Sequence, residues 1–458
     1  MSDAERPVTR RLLLKAGLAC GAGVLLAACG PAPTPTPTSV PTAAEKPAVA
    51  PTPTAAVAKP AAPSKVVKLE LWTFVNTHGR WFRAMADDFK KNNPVEINVV
   101  DTVTGTQYFD KLQVALQTKS GVPDIVDIEQ GPFGRFLKGE VQLRDLGQRL
   151  RQEGFWDKLV AARQALYTWQ GKTYGVEHAL CPVVVYYRRD FFQEASVKAE
   201  DIKTWDDFIV AGKQVTKGER FMTPLVSVEA LIRQRGVDFF NANGDVTIDD
   251  PKVIDTVQWI LDQIYVNKIS EIPPTGPAFW GAVQQGRYAA LVGADWYAGF
   301  IKDNAPETKG KWGAIPLPVW KDDPNKTPTS CVGGTGCCIP LATQHYEECW
   351  NYLNFTMLSV DGNVKRFELT NLFPPLIPAM DDQRLHVKDP FFDGQDLGAL
   401  FQQLGPKVPA QYQHPYRAEL RSLWDSKVFP DVRDKKITVA EGAQRVAKET
   451  RELIAKGA

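Results

Sequence analysis

The sequence has no excess of charge of either sign and no concentrated run of lysine or arginine. It contains 54 basic and 53 acidic side chains in 458 residues, which gives a formal net charge of +1. Proteins that bind nucleic acid show a basic patch or stripe, so this composition argues against a nucleic-acid partner. The balanced charge favours a ligand that is neutral or locally recognised.

Catalytic and metal-binding signatures are missing as well. No G-x-S-x-G, H-E-x-x-H or phosphate-binding G-x-x-x-x-G-K-[ST] motif occurs. The five histidines, His78, His178, His345, His386 and His414, are scattered without ligand spacing. We therefore expect that the protein binds no metal and no cofactor and that it is not an enzyme. Many Asp and Glu pairs could serve as the acid and nucleophile of a glycosidase, but the sequence favours none of them.

Long apolar runs are absent from the chain after residue 29. No segment in that part has 18 apolar residues in a row. The run at 16–28 has thirteen, whereas about 20 are needed to span a bilayer. That length is typical of a signal-peptide core. Arg10 and Arg11 precede it and resemble a twin-arginine export signal. Leu26-Ala27-Ala28-Cys29 matches a bacterial lipobox.

We therefore expect 1–28 to be a signal peptide and Cys29 to carry the lipid that anchors the protein to the outer face of the cell membrane. The alternative is a short signal anchor with an incidental cysteine. Residues 29–65 form the expected tether, in which 31–64 hold ten of the 34 prolines. Such a composition cannot bury a core. As polyproline II, at about 3.1 Å per residue, it reaches roughly 100 Å. A semi-rigid stalk and a spacer of no fixed geometry fit equally well.

Strands and helices alternate in the segment that follows. The predicted order is a strand at 67–74, a helix with Phe82, Met85 and Phe89 on its buried face, a strand at 95–100, a helix around 109–116 and a buried strand at 124–128. This order is typical of an α/β lobe with a largely parallel sheet. Ligands of such sheets lie beyond the carboxyl ends of the strands, which here are Phe74–Asn76 and Glu129–Gln130.

The stretch 171–192 has the most distinctive pattern in the chain. Turn signals at Gly171 and Gly175 precede the apolar, β-prone run 181–187, and the charged run 188–190 ends it. This pattern predicts a strand that is covered on both faces. The stretch resembles the segment with which family 1 extracellular solute-binding proteins cross from one lobe to the other. These are the sugar-type receptors of ABC importers, similar to maltose-binding protein.

Two departures and an ordered series of further motifs accompany this resemblance. Glu177 stands where the family has proline, and Arg188-Arg189 stand where it has Asn-Lys. The further motifs are a helix start at 204–208, an aromatic-ended strand element at 279–296, a Gly-x-x-Pro-x-Pro return at 312–318, a Gly-Gly turn at 332–334, a helix at 349–358 and a late site loop at 372–375. A helix is also predicted from Asp250, with Pro251 at its first position. The resemblance covers roughly 66–430.

The resemblance implies an α/β, periplasmic-binding-protein-like type II fold, with two α/β lobes joined by a three-crossing hinge. On the family pattern, lobe one comprises 66–180 and 312–358, and lobe two comprises 181–311 and 359–458. The lobes close over a solute, most simply a sugar or oligosaccharide, and an ABC permease recognises the closed form. A monomer is expected.

Sugar binding needs flat aromatic faces and several hydrogen-bonding groups. Asp295, Trp296 and Tyr297, at a predicted strand end, supply both, and Gly333-Gly334 offer backbone N–H groups at close approach. The full set of candidate ligand-binding residues is Trp72, Phe74, Asn76, Glu129, Gln130, Glu177, His178, Tyr187, Trp280, Asp295, Trp296, Tyr297, Gly333, Gly334 and Phe373. For each, the alternative is a structural role in the core, a turn or the hinge.

Five cysteines lie beyond the leader and Cys29, namely Cys181, Cys331, Cys337, Cys338 and Cys349. An odd number leaves at least one free thiol. Cys331 could bridge to Cys337 or Cys338 across a short loop, or the cysteines could be small buried hydrophobes, and we expect no obligatory disulfide.

Two other function classes stay open. The first is an exported, lipid-anchored carbohydrate-active enzyme, and the second is a stalked adhesion or scaffold protein. Within the receptor class, glycerol phosphate, a polyamine or a ferric complex are alternatives to a sugar.

Overall fold

The computed structural model describes residues 66–457. The expected signal peptide, the lipidated Cys29 and the tether lie outside the described residues. Among residues 66–457, no helix has both the length and the apolar character that crossing a membrane requires.

Two main sheets organise the described chain. Their strands are β1 (Val67–Trp72), β2 (Val95–Val100), β3 (Ile125–Glu129), β4 (Val176–Glu177), β5 (Val183–Arg188), β6 (Ala290–Ala294), β7 (Trp312–Pro316) and β8 (Thr335–Cys338). The first sheet has the order β2-β1-β3-β8-β4 and the second has the order β6-β5-β7. Because β1 is parallel to β2 and β3, the predicted largely parallel sheet is present, and β8 is antiparallel to both of its neighbours, β3 and β4. In the second sheet, β5 is antiparallel to both neighbours.

Twelve of the helices in the described residues have seven or more residues. They are α1 (Asn76–Phe89), α2 (Gly105–Thr118), α3 (Trp205–Val215), α4 (Val228–Gln234), α5 (Pro251–Tyr265), α6 (Pro277–Gln284), α7 (Trp296–Asn304), α8 (Tyr346–Met357), α9 (Val360–Thr370), α10 (Leu397–Leu404), α11 (Arg417–Leu423) and α12 (Val439–Lys456). Shorter α-helices span Gln130–Phe133, Gly147–Gln152, Ala161–Gln164, Arg189–Glu194, Ile377–Met380 and Phe429–Arg433.

The predicted helix starts have clear local causes. At α3, the Thr204 side chain accepts the Asp207 N–H while the Asp207 side chain accepts the Thr204 N–H, which is a complete capping box. At α5, Pro251 occupies the first turn and the Asp250 side chain accepts the Lys252 N–H. Proline is tolerated there because its missing N–H has no partner within the helix.

The core follows the sheets. Leu71 and Ile125 of the first sheet are fully buried, and so are Val183, Val184 and Val185 of β5. Burying one such aliphatic side chain contributes about 1.5–3 kcal/mol. The covered strand predicted at 181–187 is therefore present as β5, because both of its faces are packed. The five cysteines of the body are free thiols and are all buried.

The stretch after Gly175 passes from one sheet to the other. Glu177 of β4 pairs with Gly336 of the first sheet, and Val183 of β5 pairs with Ala294 of the second. The passage is therefore completed within residues 178–182. Two further passages lie between β7 and β8 and between α9 and α10, since α9 packs on α1 and α10 packs on β7.

Two elements lie on the other side of the expected lobe limits. Trp312–Pro316 was expected in lobe one, but it pairs with β5 in the second sheet. Helix α9 was expected in lobe two, but it packs on α1. An apolar strand or helix face fits either sheet equally well, so its sequence alone does not fix which sheet it joins. The division into two lobes stays a prediction.

Candidate ligand-binding site

A cavity of about 260 Å³ lies where the two sheets face each other. Residues of the first sheet, of the helices α1, α7 and α9, and of the passages between the sheets line it. The lining residues are Phe74, Val75, Thr77, His78, Arg80, Glu129, Ala179, Cys181, Trp296, Gly299, Phe300, Lys302, Asp303, Gly333, Gly334, Thr335, Leu369, Thr370, Asn371 and Leu372.

Several of these lining residues lie at or just beyond the ends of strands. Phe74 follows the carboxyl end of β1 and Glu129 is the last residue of β3. On the opposite side, β6 ends at Ala294 and α7 begins at Trp296. The loops beyond the carboxyl ends of parallel strands are where α/β sheets bind ligands. Phe74 and Glu129 therefore lie where strand order predicted a ligand.

Five of the candidate residues line this cavity together, namely Phe74, Glu129, Trp296, Gly333 and Gly334. Trp296 is half-buried, and its indole N–H donates to the Val332 carbonyl at 3.1 Å. A Cβ on Gly333 would lie 3.2 Å from the Trp296 Nε1, and the φ of Gly333 is +83°. Glycine at this turn therefore gives the indole room and permits the backbone conformation.

Tyr297 and Trp280 belong to an aromatic cluster beside Trp296. The Tyr297 ring centroid is 4.6 Å from that of Trp296 and 6.1 Å from that of Trp280. Trp296 and Tyr297 also line a smaller neighbouring space of about 180 Å³. Tyr297 and Trp280 thus support the Trp296 side of the site without lining the main cavity.

Asp295 and Phe373 lie behind the cavity wall. One oxygen of the fully buried Asp295 accepts the Trp296 N–H at 2.8 Å, and the other accepts the Phe373 N–H at 2.7 Å. Burial raises the pKa of Asp295 to about 7 despite these bonds. The Phe373 ring is fully buried in the core. Asp295 therefore fixes the start of α7 and ties it to the late loop.

Glu177 and His178 have equivalent structural bonds on the other side. A Glu177 oxygen accepts the N–H groups of Ala179 at 3.0 Å and Thr335 at 2.8 Å. Burial raises the pKa of Glu177 to about 7, against the opposing charge of Arg163. The buried His178 ring bonds to Asp127 at 2.8 Å. Both residues thus hold the first passage to the first sheet.

The remaining candidates do not line the cavity. Gln130 is buried and bonds to Gln411 and Gln413, Tyr187 of β5 is buried in the core beside Arg189, Trp72 is buried beneath Lys111, and Asn76 is exposed at the start of α1.

Several lining residues were not predicted from the sequence, among them Gly299, Phe300 and Asp303. Trp296, Gly299, Phe300 and Asp303 are spaced i, i+3, i+4 and i+7, so they share one face of α7. That helical spacing was a usable signal. No comparable spacing predicts His78 and Arg80 as lining residues. They lie in the first turns of α1, directly after a short break in the strand pattern, and the sequence does not determine the geometry of that break.

The charged groups of the cavity have partners of opposite sign. Arg80 lies 3.8 Å from Asp303 across the cavity. Lys302 lies 2.6 Å from Asp389 and donates to Asn371. Burial raises the pKa of Glu129, while its bond from the Gly131 N–H and the charge of Arg421 act in the opposite direction. The site therefore offers compensated charge rather than a field of one sign.

A buried His–Asp–His cluster reaches the cavity through His78. His78 Nδ1 is 2.9 Å from one oxygen of Asp127, and His178 Nε2 is 2.8 Å from the other. Within residues 66–457, these three side chains form the one group of three whose donor atoms could hold a metal. Ligands of a tetrahedral metal with bonds of about 2.0–2.1 Å lie about 3.3 Å apart. The observed separations are those of hydrogen bonds.

Known proteins now supply the family. Residues 84–390, well over half of the chain, match the family model described as bacterial extracellular solute-binding protein. The chain belongs to this family. Its members are binding receptors, so the expectation that the protein is not an enzyme is confirmed.

Two relatives of this solute-binding protein share the name arabinooligosaccharide-binding protein. One, from Halalkalibacterium halodurans, is 30% identical over 398 residues, covering 84% of this chain and 88% of the relative. The other, from Bacillus subtilis, is 29% identical over 416 residues, covering 86% of this chain and 94% of the relative.

A solved structure supports the fold. The binding protein from B. animalis subsp. lactis, determined in complex with beta-1,6-galactobiose, has a TM-score of 0.68 at 20% identity and covers 86% of this chain and 98% of its own. This likeness confirms the expected α/β periplasmic-binding-protein fold.

Proposed function

We propose that this protein is a lipid-anchored receptor of an ABC importer that captures an oligosaccharide by hinge closure and delivers it to the permease. The observation that carries the proposal is the cavity between the two sheets, which combines the Trp296 face with hydrogen-bonding groups of the first sheet. A pyranose or furanose ring packs its C–H face on an aromatic ring while its hydroxyls bond to polar groups.

The compensated charges favour a neutral ligand. Arg80 and Lys302 each lie near a carboxylate, so neither is free to neutralise a phosphate or a ferric complex. Glu129 and Asp303 in turn lie near arginines, which disfavours a polyamine. A sugar needs no net charge from its site.

Arabino-oligosaccharides are the substrate class that we propose. Support comes from the two named relatives, which match this chain over most of their length. The proposal for the anchor has separate support in the twin-arginine motif, the apolar run and the lipobox that ends at Cys29. The proline-rich tether then lets the folded body reach a permease on the same membrane.

Binding of a sugar panel to the purified folded body tests the substrate class. The panel comprises α-1,5-linked arabinotriose, arabinose, lactose, maltotriose and glycerol 3-phosphate, measured by calorimetry, with product analysis to detect turnover. We expect arabinotriose to bind most tightly and to remain intact. Tighter binding of glycerol phosphate, or hydrolysis of arabinotriose, would contradict the proposal.

Fractionation of cells that express the full chain tests the anchor. Wild-type protein should label with an alkyne fatty acid and sediment with membranes, whereas Cys29→Ala should do neither. Cys20→Ala is the matched control and should behave as wild type. Membrane association without labelling would exclude lipidation at Cys29.

A further inference from the structure

Asp127 connects the cavity wall to the first passage between the sheets. It lies in β3 and is fully buried. Its Oδ2 accepts from the Thr73 hydroxyl at 2.6 Å and bonds to His78 Nδ1, while its Oδ1 bonds to His178 Nε2. His78 lies in α1 on the cavity wall, and His178 lies in the passage itself.

The proton positions in this cluster follow from the state of Asp127. Burial alone would raise the pKa of Asp127, but the two histidines outweigh burial and hold it well below its usual range. An ionised carboxylate can only accept hydrogen bonds. Each histidine must therefore carry a hydrogen on the nitrogen that faces Asp127.

His178 has a single ring proton. Burial and the nearby positive charge of Arg366 lower its pKa to about 3, so the ring is neutral above that pH. Its proton is donated to Asp127 from Nε2, which leaves Nδ1 bare and buried. His178 thus anchors the carboxylate without offering anything to the cavity.

His78 differs because it lines the cavity. Nδ1 is committed to Asp127, and Nε2 bonds to no other described residue. Phe74 and Phe82 pack edge-on against the ring, with centroids 5.5 and 6.5 Å away. This packing opposes a ring flip, which would also break the bond to Asp127. The nitrogen available to a ligand is therefore Nε2, which carries the free lone pair in the Nδ1–H tautomer of the ring.

We propose that His78 is a ligand-binding residue that accepts a hydrogen bond from a sugar hydroxyl through Nε2, and that Asp127 is the positioning residue that holds the ring hydrogen on Nδ1 and fixes the orientation of the ring. The inference rests on the proposed function, since it takes the ligand to be a hydroxyl-bearing sugar. It assigns to the cavity an acceptor that selects for a hydroxyl at that point and against a group with only lone pairs.

Two substitutions separate the two nitrogens. The amide of His78→Asn falls near the Nδ1 position and keeps the bond to Asp127, but nothing replaces Nε2. The amide of His78→Gln reaches the Nε2 position and can still accept a hydroxyl. One lost neutral hydrogen bond reduces affinity by roughly 3- to 10-fold. We expect His78→Asn to show that loss for arabinotriose, His78→Gln to bind more tightly than His78→Asn, and the control His345→Asn to match wild type.

Long-range ¹H–¹⁵N spectra of the unliganded protein test the positioning role of Asp127 without any sugar. We expect the His78 Nε2 to show the shift of an unprotonated nitrogen and to move when arabinotriose is added. A protonated Nε2, or unchanged affinity of His78→Asn while wild type binds, overturns this inference alone. Failure of every sugar to bind wild type overturns it together with the proposed function. Thermal unfolding of the unliganded variants identifies any loss of affinity that comes from misfolding.

Discussion

The two walls of the cavity are built differently. The wall on the side of the second sheet is aromatic and comes from one helix, α7, which supplies Trp296 and Phe300. The wall on the side of the first sheet combines Phe74 with the polar groups of His78, Glu129 and Thr335, which come from separate segments, and is called the polar wall below. An aromatic face recognises the C–H surface common to many sugars, whereas fixed hydrogen-bonding groups recognise a particular hydroxyl pattern. Affinity and selectivity are therefore expected to depend on opposite walls.

Each wall also depends on one buried carboxylate. Glu177 accepts the N–H of Thr335 on the polar side, and Asp295 accepts the N–H of Trp296 on the aromatic side. Burial raises the pKa of both to about 7. The two differ in one respect, because Glu177 has an oxygen without a partner whereas both oxygens of Asp295 accept bonds.

The largest expected effect is on the pH dependence of stability, to which Glu177 contributes together with Asp295. The folded pKa of Glu177, about 7, lies above the ordinary 4.5, so its stabilising contribution is complete below pH 4.5 and is lost as pH rises to about 7. The difference corresponds to about 3 kcal/mol in the free energy of unfolding. Glu177→Gln keeps the acceptor oxygen and should reduce the decline between pH 4.5 and 7, as measured by denaturant unfolding.

Asp295→Asn is the matched comparison. Its amide replaces an oxygen that accepts a backbone N–H, so the variant should lose about 1–3 kcal/mol in the free energy of unfolding at low pH. Because the pKa of Asp295 is also raised to about 7, wild type loses stability as pH rises toward 7 and the deficit of the variant should shrink over that range. Equal pH profiles for wild type and Glu177→Gln would show that Glu177 is already ionised in the folded protein.

The next effect is loss of the aromatic face. Trp296→Ala removes a surface whose burial against a sugar contributes roughly 2–3 kcal/mol, so affinity for arabinotriose should fall about 30- to 100-fold in calorimetry. The order of preference among sugars should survive, because the polar wall is intact. Trp259→Phe is the control, because Trp259 is half-buried against the core around β5 and does not line the cavity. Unchanged affinity of Trp296→Ala would remove this residue from the site.

Glu129→Ala should have a smaller effect on affinity and a larger one on selectivity. Loss of the carboxylate costs roughly tenfold in affinity for a ligand that donates to it, and it should reduce discrimination between arabinotriose and lactose. Glu129→Gln retains an acceptor oxygen, so its affinity and its discrimination between sugars should lie between those of wild type and Glu129→Ala. If discrimination is unaltered in both variants, the polar wall does not select among sugars.

The smallest effect is expected for the ion pair that joins the walls. Arg80 and Asp303 are each about half exposed, with side-chain exposures of 54% and 53%, and such pairs contribute about 0–1 kcal/mol. Arg80→Ala should weaken arabinotriose binding by less than about fivefold, and less so at high salt. Lys90→Ala, which removes an exposed pair outside the cavity, should have no effect. A loss above tenfold would assign Arg80 to direct ligand contact.

The same comparison explains what sequence could predict. The parallel strands, the capped start of α3 and the covered strand β5 depend on local periodicity and turn chemistry, which a sequence displays directly. The residues of the aromatic wall could be predicted from the sequence for the same reason, since they share one helix face. The residues of the polar wall could be predicted only in part. Asp127, His78 and His178 meet through packing of a strand, a helix and the first passage, and no spacing in the sequence encodes that meeting.

Burial also reversed several site expectations in a way that composition could not reveal. Tyr187 and Phe373 are aromatics of the right type for a sugar site, but their rings lie in the core. The sheet joined by Trp312–Pro316 was likewise decided by pairing with β5, which depends on distant residues.

Small-angle scattering with and without saturating arabinotriose tests most directly whether the two walls close on a sugar. We expect the radius of gyration of the folded body to fall when the sugar is added to wild type, and to stay constant for Trp296→Ala at a concentration that saturates only wild type. A radius that is unchanged in wild type while calorimetry shows full occupancy would contradict capture by closure.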